Sequence, residues 1–376
     1  MWYFESKDVI SIHFEISNYC NASCPECPRA DPHEIDPNTG KNRFEPMGWI
    51  DTHFLSLDLI KKRINADTLP NLQDVYFCGC FGDACTHPKL IEIIEYLTAE
   101  FPKLCFWIHT NGGLKTPRYW EKLANVLNKT AYYEVIWGID GLADTNHLYR
   151  VGVNWNKLQE NFRAFNNAGG NSVWQFILFP HNYHQLNEVR ATAKKEKFFE
   201  FKKVLSFRYA DERNMPEEFK HAITKDNILE VEDGDMSQRV VPPKPHFDNW
   251  SKSFNTRDVK TGKLLACNSQ QQHNLFVFSE GTVWPCSRLG FNGEIPLKPS
   301  KERCQSYFWE VDTNARTNNS LHTYSIEEIM KNAWWTQVLD SHKTGNMCRS
   351  CVGECGKMIE DKELYETKDI NFHERL

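Results

Sequence analysis

Cys20, Cys24 and Cys27 stand in a C-x3-C-x2-C spacing just past a short alternating stretch near the N-terminus. Three thiolates on one short loop can take three irons of a cubane and leave the fourth iron open to a small ligand. A closed structural zinc site needs four protein ligands, so here it would require one from elsewhere. A second group lies far along the chain. Cys267 and Cys286 bracket an apolar stretch, and Cys348, Cys351 and Cys355 follow it in C-x2-C-x3-C spacing.

The rest of the composition favours metal or cluster ligation for these thiols. The 376 residues carry 13 cysteines, an odd number, and most sit in short-spaced groups. The first residues carry charges where a signal peptide would be apolar, and no apolar run approaches the length of a bilayer. The expectation is a cytoplasmic protein without a membrane partner, whose thiols stay reduced. A net charge of −6, with Lys and Arg scattered among Asp and Glu, provides no basic field for nucleic acid.

The elements that must position the first triplet follow one another as strand and helix. Alternation over residues 10–16 reads as a strand, and strands are expected again at 74–78, 104–109, 134–139, 173–179 and 203–207. Between them lie helix faces: Leu57, Ile60 and Ile64 after a Ser56 cap; Leu90, Ile93, Ile94 and Leu97; Trp120, Leu123, Ala124 and Leu127; Trp155, Leu158, Phe162 and Phe165, ending at Gly169 and Gly170. A further helical stretch runs from His184 to about Lys197. Such alternation implies a parallel sheet with right-handed crossovers, and six units make an open, partial barrel. Chemistry collects at the C-terminal ends of such strands, where Cys20, Gly82-Asp83, Asn111 and Asp140 fall.

In this setting the triplet resembles the signature of the radical S-adenosylmethionine superfamily, and the resemblance runs over most of the chain. It implies that Cys20, Cys24 and Cys27 bind a 4Fe-4S cluster whose open iron is chelated by the amino and carboxylate groups of S-adenosyl-L-methionine. Reductive cleavage then yields methionine and a 5′-deoxyadenosyl radical that abstracts hydrogen. Gly82 and Asp83 resemble the loop that receives the cofactor's amino group, with Asp83 and Ala84 where the family usually has Glu and Pro. Asn111 matches the strand-three ending. Gly138, Asp140 and Arg150 resemble the segment contacting ribose and carboxylate, with Gly138 in place of a serine, so that hydroxyl is lost. Glu26 stands where the family usually has an aromatic residue near the adenine.

The later cysteines resemble the auxiliary-cluster domain called SPASM in its shortened, twitch form, with one auxiliary 4Fe-4S cluster. The resemblance implies Cys267, Cys286, Cys348 and Cys351 as ligands, with Cys355 the alternate for either of the last two; a zinc ribbon stays open as another reading. The chain then divides into a partial (βα)6 barrel over residues 1–210, a covering linker over 211–262 and a small twitch/SPASM-like domain over 263–376. Within the last part, residues 275–286 read as a hairpin turning at 279–281, and Ser325 with Glu328 forms a capping box opening a helix that carries Ile326, Ile329, Met330 and Trp334.

The expected function is hydrogen abstraction from a C–H bond of a peptide or small molecule, in an oxidation or cross-linking, with flavodoxin or ferredoxin as electron donor. Similar enzymes include sulfatase maturases, peptide maturases and an aminocyclitol dehydrogenase. The 19 residues before Cys20 leave no room for a leader-recognition domain. The rival expectation is a non-catalytic iron–sulfur or zinc protein for electron transfer or scaffolding, in which Asp83, Asn111 and Arg150 would have no purpose.

Overall fold

Strand and helix alternate because the apolar period changes from two residues to three or four and back. The computed structural model describes residues 4–25, 27, 29, 52–79, 81–205, 232–233, 269, 272–287, 289 and 315–344. Six strands, β1 (Ser11–Phe14), β2 (Asp74–Phe77), β3 (Cys105–Thr110), β4 (Tyr132–Gly138), β5 (Ser172–Leu178) and β6 (Glu200–Leu205), lie side by side in chain order and all run parallel. The connections carry α1 (Leu57–Arg63), α2 (Leu90–Glu100), α3 (Pro117–Leu127), a short α4 (Asn146–Tyr149), α5 (Trp155–Asn167) and α6 (Leu186–Lys195).

Each strand separates two environments. On β3, Phe106 and Ile108 join the large outer core with the helices, whereas Cys105 and Trp107 face inward and pack with Tyr132, Ile136 and Val173. That inner cluster plugs one end of the half-barrel and leaves the C-terminal strand ends for the site. The outer layer is strongly aromatic. Trp137 of β4 is fully buried against Trp120 of α3, with ring centroids 4.5 Å apart, and against Phe162 and Phe165 of α5. Truncating such a ring costs about 3–5 kcal/mol.

Local signals act as their chemistry requires. Ser56 Oγ accepts the Asp58 N–H at the start of α1, Asn154 Oδ1 accepts from Lys157 at the start of α5, and α5 stops before Gly169, whose φ is +78°. The capping box of Ser325 and Glu328 is formed. The helix it opens is shorter than the apolar spacing suggests: α8 covers Ile326–Met330, and α9 begins anew at Ala333–Thr344. A preceding short helix, α7, covers Ala315–Asn318.

The expected hairpin is present as β8 (Asn274–Val277) and β9 (Val283–Trp284), paired antiparallel around Gly281. It does not form a sheet of its own. Strand β8 pairs parallel with β1, Ser11 opposite Asn274 and Phe14 opposite Val277. A two-residue strand, β7 (Glu232–Asp233), pairs antiparallel with β6 at the far side. The order is β7-β6-β5-β4-β3-β2-β1-β8-β9, and among the described residues the sheet stays open. The architecture is a mixed α/β partial barrel. No helix among the described residues is long and apolar enough to cross a membrane.

Candidate active site

The loop after β1 is held from two sides. Toward β2, the Asp83 N–H donates to the Tyr19 carbonyl at 2.9 Å, the Thr86 hydroxyl donates to that same carbonyl at 3.0 Å, and Arg29 donates to the carbonyls of Asn18 and Phe81. Toward β4, the Ser23 N–H donates to the Val151 carbonyl at 2.9 Å. Between these anchors sit Cys24, which is buried, and Cys20 and Cys27, which are half-buried, all three as free thiols.

Donors surround the sulfurs. Cys20 Sγ accepts the Ala22 N–H at 3.4 Å and faces Asn111 Nδ2 at 3.5 Å. Cys24 Sγ faces Arg150 Nη1 at 3.7 Å. Burial, with the neighbouring charge of Asp83, pushes the Cys20 thiol up to about 12, and burial pushes Cys27 up to about 11. Burial raises Cys24 as well, and the Arg150 guanidinium counteracts it.

Asp83 and Asn111 link the ends of β2 and β3. Asp83 Oδ2 accepts from the Asn111 N–H at 2.7 Å, from Asn111 Nδ2 at 2.8 Å and from the Thr110 hydroxyl at 3.0 Å; Oδ1 accepts from the Cys85 N–H at 2.9 Å. A carboxylate has about four acceptor positions, so most of the capacity read for a cofactor amino group is already occupied within the protein. Asn111 Nδ2 also faces Asn21 Oδ1 at 3.0 Å.

Asp140 and Arg150 close the ring at β4. Arg150 Nε donates to Asp140 Oδ2 at 2.6 Å, and Asp140 Oδ1 accepts the Ile177 N–H at 2.6 Å. The aspartate is completely buried. Gly138 lies beneath the guanidinium: a Cβ there would stand 2.3 Å from Arg150 Nη2. The serine hydroxyl whose absence the sequence indicated is replaced by space that the arginine fills.

Glu15, just past β1, carries no motif and escaped the sequence reading. Its Oε1 accepts the N–H groups of Phe81 and Gly82, and it bears up the loop that leads to Asp83. Burial pushes its carboxyl up to about 8, and Oε2 has no hydrogen-bond partner among the described residues. Its inward position, two residues after His13 on an alternating strand, was the available signal. On the same concave face, Lys202 lies 3.2 Å from Glu134 and 3.5 Å from Glu200. His13 faces the Cys78 carbonyl. His109 is pushed down to about 3 by burial and by the charges of Lys202, His13 and Arg150.

No protein-family model matches the sequence, and no curated protein matches it. Solved structures do. Native anSMEcpe with bound AdoMet shares 14% identity with a TM-score of 0.52, over 95% of this chain and 96% of that one. Its complex with AdoMet and the Cp18Cys peptide shares 13% over the same fractions, with a TM-score of 0.51. SuiB of Streptococcus suis shares 14% over 89% of this chain and 68% of its own, with a TM-score of 0.49. The fold is that of anSMEcpe, a partial α/β barrel.

Within this fold, the donor set after β1 is suited to an iron–sulfur cluster. Its sulfurs are cysteine thiols on one loop, and N–H donors of the kind that surround cluster sulfurs face two of them. Among the described residues no three His, Cys, Asp or Glu side chains are grouped closely enough to hold a single metal ion. Of the second cysteine group, Cys286 follows β9 and accepts the Leu289 N–H at 3.5 Å. Cys267, Cys348, Cys351 and Cys355 lie outside the described residues, as do Glu26 and most of the 211–262 segment.

Proposed function

We propose that this chain is a radical S-adenosylmethionine enzyme acting on a C–H bond of a peptide or small molecule. With a 4Fe-4S cluster and S-adenosylmethionine bound, the site would supply a 5′-deoxyadenosyl radical for hydrogen abstraction. The observation that carries this reading is the convergence of two hydrogen-bonded groups, Cys20 with Asn111 and Asp83 and Cys24 with Arg150 and Asp140, at the C-terminal ends of β1 to β4.

In this reading Cys20, Cys24 and Cys27 ligate the cluster. The Gly82–Asp83 loop offers acceptors to the cofactor's amino group, chiefly backbone carbonyls, because Asp83 is largely engaged by Thr110 and Asn111. Arg150 keeps three N–H groups beyond those donated to Asp140 and Cys24, enough for a bidentate contact with the cofactor's carboxylate. Asp140 holds that guanidinium in place over Gly138. Cys267, Cys286, Cys348 and Cys351, with Cys355 as alternate, are assigned to one auxiliary 4Fe-4S cluster, consistent with an oxidation or cross-linking. A flavodoxin or ferredoxin would supply the electron. The peptide bound in one anSMEcpe structure favours trying peptides first.

The test is anaerobic reconstitution followed by analysis of iron, inorganic sulfide and 5′-deoxyadenosine formed under reductant. Expected are roughly eight irons per chain when both clusters form and a deoxyadenosine yield that Cys24→Ala abolishes without altering the circular dichroism. Protein devoid of sulfide, or an active Cys24→Ala chain, overturns the reading. About four irons with one zinc overturns the auxiliary assignment alone.

A further inference from the structure

Arg150 makes two contacts that point in different directions. Nε is tied to Asp140 at 2.6 Å, and Nη1 reaches Cys24 Sγ at 3.7 Å. The tie is itself braced: Asp140 accepts the Ile177 N–H, its own N–H donates to Asn146 Oδ1, and Asn182 donates to its carbonyl. The Tyr149 ring lies 5.3 Å from the guanidinium carbon. The carboxylate is fully buried and the arginine side chain is 16% exposed, so water screens this charge poorly.

Reach toward the sulfur depends on residue 138. A Cβ on Gly138 would lie 2.3 Å from Nη2, 2.8 Å from Cζ and 3.3 Å from Nη1. Residue 138 ends β4, paired with Gln175 of β5, so its backbone cannot retreat without breaking the ladder. The glycine is therefore the condition for the guanidinium to lie flat over the strand end and point at Cys24.

We propose that Arg150, admitted by Gly138 and anchored by Asp140, sets the reduction potential of the cluster held by Cys20, Cys24 and Cys27. A cation donating to a cluster thiolate stabilises the reduced, more negative state more than the oxidised one, and so raises the potential. Removing the contact makes the cluster harder to reduce. The inference rests on the reading of Cys24 as a cluster ligand, and it concerns the ease of electron entry, a property separate from cofactor binding.

The experiment is a redox titration of the reconstituted full-length protein, followed by electron paramagnetic resonance. The signal of interest is assigned once, in the unsubstituted chain, as the one that changes on adding S-adenosylmethionine. All titrations are then run without S-adenosylmethionine, so that the comparison does not depend on cofactor binding by the variants. Arg150→Gln and Gly138→Ala are each expected to lower the reduced fraction roughly tenfold at fixed solution potential, a shift of about 59 mV for one electron. Arg150→Lys, which keeps the charge without the fork, is expected to shift less and in the same direction, and it carries the comparison if Arg150→Gln fails to assemble. An unchanged potential in a variant with unmodified iron and sulfide content overturns the proposal alone. Absence of cluster in the unsubstituted chain overturns the ligand reading, and the proposal with it.

Discussion

Asp83 and Asn111 are joined twice: the backbone N–H and the side-chain amide of Asn111 both donate to one oxygen of Asp83, at 2.7 and 2.8 Å. The same amide faces Cys20, so the carboxylate governs the cysteine loop at second hand. Asp83→Ala leaves four buried donors without their acceptor. The expected loss is about 3–5 kcal/mol, measured by urea denaturation. Thr110→Val, which removes one of these donors and the acceptor of the Gly112 N–H, should cost less, about 2 kcal/mol.

Gly82 lies directly against the backbone of the cysteine loop. A Cβ at this position would come 1.8 Å from the Ser17 carbonyl oxygen, and no rotamer change relieves a clash between main chains. Gly82→Ala should cost about 3 kcal/mol and reduce the iron retained after gel filtration. Gly169→Ala provides the contrast. Its φ is +78° but its nearest neighbour would be 3.6 Å away, so the expected penalty is about 1 kcal/mol with normal iron content.

Glu15 should make the fold sensitive to alkali. Its carboxyl is raised from an unfolded value near 4.5 to about 8 by burial, against the lowering effect of the Phe81 and Gly82 N–H groups. A group raised in the folded state contributes fully below its unfolded value and loses that contribution as pH climbs through the folded one. Between pH 5 and 8.5 the native chain is expected to lose stability relative to Glu15→Gln, whose neutral amide keeps an acceptor for both N–H groups. Parallel pH dependences of the two urea midpoints would refute this.

His109 acts in the opposite sense. Its imidazole is lowered to about 3, first by burial and then by Lys202, His13 and Arg150. Stability from a neutral folded imidazole is present above the unfolded value near 6.5 and is lost as pH falls toward the folded one. His109→Gln should flatten the fall in stability between pH 6.5 and 4 by up to one proton. In ¹⁵N spectra of the native protein, the His109 ring should remain neutral down to pH 5.

What could be read in the residues was what repeats locally. The strands at Asp74–Phe77 and Cys105–Thr110, the faces of α2, α3 and α5, and the Ser56 and Ser325 caps follow from short-range periodicity and turn chemistry. The partial barrel followed because strand–helix alternation admits few topologies. Long-range relationships were not readable in this way. Nothing in the 274–277 stretch indicates that it pairs with β1, because register between distant strands leaves no local period. Gly138 registered as a missing hydroxyl, whereas in the fold the Arg150 guanidinium occupies its space. Asp83 registered as a carboxylate available to a ligand, although its hydrogen bonds are mostly spent on Thr110, Asn111 and Cys85.

The pairing of β8 with β1 also orders events in the life of the chain. Until residues 274–277 have left the ribosome, the strand that leads into the cysteine loop is an exposed border of the sheet, open to adhesion between nascent copies. That border closes only when the hairpin has been synthesised, so the segment before the cysteine loop gains its second strand partner late.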